Sequence, residues 1–181
     1  MNFSDQELAG QFVSRNRRDK AFRIIISEYQ ERLYWHIRKI VIRHEDADDV
    51  LQNTFIKAWQ NADSFRQDSR LYTWLYRIAT NESLNFLRKE KNKYRLSWED
   101  VGENLAGSLK SDEYFNGDSI QLKLQEAILK LPERQRLVFN MRYFDEMKYD
   151  EIAEILDLSI GALKASYHHA VKKIKTILEA D

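Results

Sequence analysis

A chain of 181 residues with 43% hydrophobic content holds one ordinary domain or two small ones, each with its own core. Five glycines and one proline leave little punctuation for hairpins, and the residue content favours helices, so the expected fold class is all-α; the absence of cysteine excludes disulfide frameworks and thiolate metal sites. The net charge of zero conceals segregation: residues 1–95 carry 18 Lys and Arg against 13 Asp and Glu, residues 96–120 carry 1 against 6, and residues 121–181 carry 10 against 10, so a polyanion is drawn to the first part and kept from the middle.

The start, residues 1–10, is polar and acidic, and a helix is expected over 5–15. No signal peptide and no membrane insertion are expected, because the longest apolar runs are three residues, as at 24–26; the expected location is cytoplasmic. From Phe22 the apolar positions Phe22, Ile25, Ile26, Tyr29, Leu33, Ile37 and Ile40 recur at three-and-four spacing and predict a long amphipathic helix. Asp46, Asp48 and Asp49 in "HEDADD" are placed to cap a second helix over 50–60. A further helix runs from about 69–71 through Trp74, Leu75, Ile78 and Ala79 to about 91, and these four form a bundle over residues 1–95. Residues 96–119, rich in glycine and acid without sustained periodicity, read as a flexible linker. Beyond it, residues 120–181 predict helices over 120–131, 133–144, 148–156 and 160–179, with Pro132 in a first turn, where its missing N–H costs nothing. The expected architecture is two small helical domains joined by that linker.

The segment "YDEIAEILDLSIGALKASYHHAVKKIKTIL" has the form of a helix-turn-helix. Its first helix buries Ile152, Ala153 and Leu156, Asp157 and Leu158 make the turn, and Ser159 caps a second helix whose Leu163, Tyr167, Ala170 and Ile174 face inward. The opposite side presents Lys164, His168, Lys172 and Lys175, the donor-rich face that a major groove requires. A helical pair with a solvated lysine face is the plainer alternative. No metal site is expected: His168 and His169 lie about 100° apart on a helix and cannot chelate as a pair, and "HEDADD" lacks the glycine and distal glutamate of a calcium loop.

Residues 59–95 interleave aromatics with cations. Flat side chains on which unstacked bases lie, beside charges that neutralise phosphates, are what single-stranded nucleic acid needs. Asn81 and Asn85, one turn apart, suit the edge of an extruded base. Trp74 and Ile78 read as core; Phe65, Arg66 and Tyr72 flank the polar loop "NADSFRQDS", where a core role is weaker.

With these residues in view, "DADDVLQNTFIKAWQNADSFRQDSRLYTWLYRIATNESLNFLRKEK" resembles region 2 of the sigma-70 family, and "LPERQRLVFNMRYFDEMKYDEIAEILDLSIGALKASYHHAVKKIK" resembles its region 4. Two regions alone, on a short linker, are similar to the extracytoplasmic-function group of sigma factors. The resemblance implies a subunit that binds core RNA polymerase, directs it to promoter -35 and -10 elements and helps melt the DNA, without enzyme activity or cofactor of its own. It implies core-polymerase contacts at Asp46, Asp49, Val50, Gln52, Asn53, Phe55 and Trp59, on the clamp helices, and at Leu137 and Val138, on the flap. It assigns the -10 element and melting to Phe65, Arg66, Arg70, Tyr72, Trp74, Arg77, Asn81, Asn85, Arg88, Lys89 and Lys91. It assigns the -35 element to Ser159, Gly161, Ala162, Lys164, Ala165, Ser166, His168, His169 and Lys172. Implied partners are duplex and single-stranded promoter DNA, core RNA polymerase and an anti-sigma factor.

Ser166 and His169 stand where many relatives of that family carry arginine, and each lost phosphate contact flattens the salt dependence by about one unit of slope. A stand-alone regulator using only the helix-turn-helix is a competing class, but it has no use for a single-strand platform. An enzyme acting on nucleic acid is another, but no Walker loop, H-E-x-x-H or cysteine-based zinc motif is present.

Overall fold

A computed structural model describes residues 4–111 and 119–180, apart from the side chains of Trp98 and Glu99. In chain order the helices are α1 (Asp5–Val13), α2 (Arg18–Val41), α3 (His44–Gln60), α4 (Leu71–Tyr94), α5 (Trp98–Lys110), α6 (Ser119–Leu129), α7 (Glu133–Tyr143), α8 (Tyr149–Leu156) and α9 (Ile160–Ala180), with a 3-10 turn at Ala62–Ser64. No strand occurs among the described residues, as the all-α expectation requires.

Helices α1 to α4 form the first bundle. Ser4 and Glu7 close a reciprocal capping box at the start of α1, and Leu8 and Phe12 are fully buried. The stripe read on α2 is the buried one at Ile25, Tyr29, Leu33, Ile37 and Ile40, while Phe22 and Ile26 are half-buried at its margin. Phe22 stacks on Phe12 at 5.7 Å and meets Phe55 edge-on at 6.1 Å. α2 stops at Ile42, whose φ of 68° is unusual for a β-branched residue. Its side chain is nevertheless buried, which offsets the strained backbone.

Two sequence expectations are corrected. "HEDADD" does not precede the second long helix but forms its first turns, since α3 begins at His44 behind an N-cap, Arg43, that makes no side-chain cap bond. Acidic side chains stabilise an N-terminus both at the cap and within the first turn, so their presence does not fix the boundary. The linker reading of 96–119 also changes in part, because Trp98–Lys110 is helical. Ser97 and Asp100 form a capping box, and Val101, Leu105 and Leu109 are buried at four-residue spacing. The remaining linker positions, 112–118, lie outside the described residues.

The second group, α6 to α9, has a small core of Ala127, Ile128, Leu131, Phe139, Ala170 and Ile174, with the Phe139 ring stacked between Tyr143 at 5.2 Å and Tyr167 at 5.8 Å. Pro132 is the N-cap of α7 rather than a residue of its first turn. In the helix-turn-helix, Ile152 and Ile155 carry the α8 burial, and Ala153 and Leu156 are only half-buried. Asp157 takes the left-handed conformation at φ 54°, which an aspartate tolerates, and its N–H donates to the Ala153 carbonyl. Ser159 Oγ then accepts from Ala162 N at 3.2 Å, the cap read from the sequence.

The two groups pack on one another. The larger hydrophobic cluster passes from α1–α4 through Leu105 and Leu109 to Leu137, Met141, Ile152 and Leu163.

Candidate nucleic-acid and partner interface

Helix α3 separates its faces sharply. Ala47, Val50, Thr54, Phe55 and Ala58 are buried, while Asp49, Gln52, Asn53, Ile56 and Trp59 are exposed along one side. Ile56 at 53% and Trp59 at 37% exposure are large apolar groups left outside a protein core, flanked by polar ones, the composition of a protein-binding face. Asp46 is half-buried, and burial holds its carboxyl above the usual range against the opposing pull of Arg43. Val50 and Phe55 sit beneath this face and support it. Leu137 and Val138 are buried in α7, so in this arrangement they build the core rather than a surface.

The loop and α4 carry the aromatic and basic set. Phe65 is buried, with its ring 4.9 Å from Trp74, and Trp74 also meets Phe12 at 6.1 Å. Phe65 is therefore a core residue, contrary to the reading that a core role was weaker there; the 3-10 turn Ala62–Ser64 folds the loop inward onto the bundle. Arg66, Gln67 and Asp68 remain exposed at its tip. Tyr72 is half-buried, with Arg32 over its ring at 5.2 Å and Tyr76 at 4.5 Å. Burial pushes its phenol up to about 12.

From Arg77 to Arg88 the outer side of α4 forms one polar stripe. Arg77, Asn81, Asn85 and Arg88 recur at four- and three-residue spacing, with Lys89 exposed and Lys91 half-buried beyond. Lys57 of α3 pairs with Glu82, which removes the one carboxylate within the stripe. Arg88 Nη1 donates to Asn85 Oδ1 at 3.2 Å. Asn81, Asn85, Ile78 and Asn61 border a shallow depression of about 330 Å³, open to solvent.

Sequence reasoning missed what fixes the start of this helix. Asp5 of α1 accepts from Leu71 N at 3.0 Å and Tyr72 N at 3.3 Å, and from the Tyr29 hydroxyl at 2.7 Å. A carboxylate 66 residues away in sequence thus supplies the α4 cap that Arg70, the N-cap residue, does not make. Burial and that carboxylate push the Tyr29 phenol well up.

On α9, Gly161, Lys164, Ala165, His168, His169 and Lys172 are exposed, Ala162 and Ser166 are half-buried, and Ser159 precedes them as cap. The imidazoles of His168 and His169 lie 5.8 Å apart at 66° and share no ligand geometry. Among the described residues no group of three or more His, Cys, Asp or Glu is arranged to hold a metal, and no helix is long and apolar enough to cross a membrane.

The two candidate surfaces are partly turned toward one another. Arg77 Nε donates to the Glu154 carbonyl at 3.0 Å, and Arg70 Nη1 lies 3.2 Å from Glu151 Oε1, so α8 covers the first part of the α4 stripe. Beside this contact His36 is buried between three elements: its Nδ1 is 2.8 Å from Asp145 Oδ2 and its Nε2 is 2.8 Å from Thr80 Oγ1. The Thr80 hydroxyl also donates to the Tyr76 carbonyl. Lys39 also pairs with Asp145.

Comparison with known proteins places these surfaces in a family context. Sigma-70 region 2 matches residues 25–93, and Sigma-70, region 4 matches residues 121–174. Among curated proteins, the ECF RNA polymerase sigma factor SigW of Bacillus subtilis is 33% identical over 163 residues, 86% of this chain and 87% of its own length. The ECF RNA polymerase sigma-E factor of Haemophilus influenzae is 31% identical over 168 residues, 88% of each chain. Among solved structures, CnrH in complex with the cytosolic domain of CnrY superposes with a TM-score of 0.71 at 27% identity, covering 98% of both chains. The sigma factor RpoE in complex with the anti-sigma factor NepR from Bartonella quintana superposes at 0.69 with 22% identity, covering 90% of this chain and 99% of that one, and shares the fold.

Proposed function

The chain belongs to the sigma-70 family, as an extracytoplasmic-function sigma factor directing promoter-specific transcription, and from that premise we propose how its surfaces divide the work. The exposed side of α3, with Asp49, Gln52, Asn53, Ile56 and Trp59, docks on the clamp helices of core RNA polymerase. The α4 stripe, with Asn81, Asn85, Arg88 and Lys89, receives the -10 element and its displaced strand, the asparagines bonding an extruded base and the cations holding phosphate. The α9 face, with Lys164, His168, His169 and Lys172, enters the major groove at the -35 element. The chain catalyses no reaction of its own and works in the cytoplasm beside the nucleoid.

The observation that carries this reading is the polar stripe from Arg77 to Arg88, with Asn81 and Arg88 exposed, Asn85 half-buried and the one internal carboxylate paired with Lys57. The contact between α4 and α8 covers the Arg77 end of that stripe, so the arrangement seen here is a closed resting form that separates before both promoter elements are read at once. An anti-sigma factor, the kind of partner NepR is for its sigma factor, then acts by holding or restoring closure. Purified chain added to core polymerase on a library of promoter fragments tests the assignment. Initiation that requires both supports it; duplex binding with no core association points instead to a stand-alone regulator.

A further inference from the structure

We propose that the half-open cavity bordered by α5, the α6–α7 turn and the far end of α4 binds a single carboxylate carried on an apolar tail. Its volume is about 860 Å³, inside the range of roughly 300–1,000 Å³ that small-molecule sites occupy. Val101 and Ala106 of α5 face Leu129 and Leu131 across it, and these supply the apolar wall.

The charged part of the wall is unbalanced at one buried point. Four cations, Arg88, Lys110, Lys130 and Arg136, share the cavity with three carboxylates, Glu103, Glu126 and Glu133. Lys110 and Glu126 neutralise each other at 3.0 Å. Arg136 is only 6% exposed, its side chain makes no hydrogen bond or ion pair among the described residues, and its Nε is buried and unsatisfied. Burial weakens its hold on its proton, with Glu133 opposing only through space. A cation taken out of water without a partner destabilises the fold, so its position in the wall of this cavity points to an anion that the cavity receives. The surplus of one positive charge matches one monoanionic headgroup. A guanidinium presents parallel N–H donors to the two oxygens of a carboxylate, and the apolar wall then takes the tail. The first turn of α7 adds open N–H groups on the same side, since Pro132 offers it no side-chain cap.

The wall has room to be filled. A Cβ on Gly102 would stand 3.8 Å from the Leu129 carbonyl oxygen, an ordinary contact.

The test is titration calorimetry on the full chain with dodecanoate below its micelle concentration, run beside dodecanol and dodecyl phosphate. The expected result is saturable one-to-one binding of dodecanoate, at least tenfold weaker for dodecanol and for Arg136→Leu. Unliganded Arg136→Leu is expected to melt at the same temperature as the parent or higher, because an unpaired buried cation is gone; a structural arginine would lower it. Ala106→Phe keeps every charge, fills the cavity and is expected to abolish binding. Dodecanol binding as tightly as dodecanoate, unchanged binding in Ala106→Phe, or no saturation by dodecanoate overturns the proposal. Tighter binding of dodecyl phosphate overturns the carboxylate assignment.

Discussion

His36 of α2 and Asp145, just beyond α7, meet at 2.8 Å across the junction of the two helical groups, and both side chains are buried, at 1% and 7% exposure. Residues 109 positions apart are thereby joined by a charged hydrogen bond in a dry joint, with Thr80 completing the ring on the far side. Removing Asp145 leaves His36 buried without its carboxylate, which costs about 3 kcal/mol, whereas removing His36 leaves Asp145 still paired with Lys39. Asp145→Ala is therefore expected to loosen the joint by that order and His36→Ala by less, read as an increased distance between labels on exposed positions of α3 and α9. The Arg70–Glu151 pair, with the arginine 66% exposed, is too solvated to hold the joint alone. A Glu151→Ala variant that opened the chain as widely as Asp145→Ala would assign the latch to the wrong pair.

The same carboxylate gives closure a pH dependence with a definite sign. Burial alone would raise the Asp145 carboxyl, but His36 and Lys39 outweigh it and hold it below the usual carboxylate range. A depressed value in the closed form means that its stabilisation is complete above the ordinary carboxylate pKa and disappears as pH falls through the lowered one. From neutral pH down to about 4 this group leaves closure unchanged, and acidification below that opens the joint. Small-angle scattering against pH checks it: the parent expands in that acid window, while Asp145→Asn shows no corresponding step.

Phe65 and Asn81 separate stability from promoter opening. Phe65 is a buried ring packed on Trp74, so Phe65→Ala is expected to cost about 3–5 kcal/mol of stability. Asn81 is exposed on the α4 stripe, and Asn81→Ala is expected to change stability by less than about 0.5 kcal/mol while lowering initiation. Denaturant unfolding of both variants decides it, and a destabilised Asn81→Ala would return that residue to a structural role.

Asp5 joins α1 to the start of α4 through two backbone N–H groups and the Tyr29 hydroxyl. Asp5→Ala removes a cap from α4 and leaves the hydroxyl of the buried tyrosine without its acceptor, an expected loss of about 2 kcal/mol. Hydrogen exchange should concentrate the change in the first turn of α4; exchange altered only in α1 would mean that the cap is not what Asp5 contributes.

Local signals made much of this molecule legible in its sequence. The apolar stripe of α2, the Asp157 turn and the Ser159 cap are each written within a few residues, and each appears as read. The start of α3 was misplaced because acidic side chains suit both a cap and a first turn. Helix α5 was hidden by glycines and acids around Val101, Leu105 and Leu109, although Ser97 and Asp100 offered a capping signal. Phe65 sits in a polar loop, and no local pattern says that the loop folds inward. The exposed polar and basic positions on α3, α4 and α9 were legible as types and spacings. The Asp5 cap, the His36–Asp145 pair and the unpaired Arg136 were not, because each depends on which elements meet.

Strand separation is the central step assigned to the α4 stripe. Permanganate mapping of unpaired thymines on a promoter found by the initiation assay should show reactivity across the -10 element only when chain and core polymerase are both present. Asn81→Ala combined with Asn85→Ala should abolish that reactivity while core binding persists. Opened DNA without core polymerase, or full reactivity in the double variant, would contradict the role assigned to the α4 stripe.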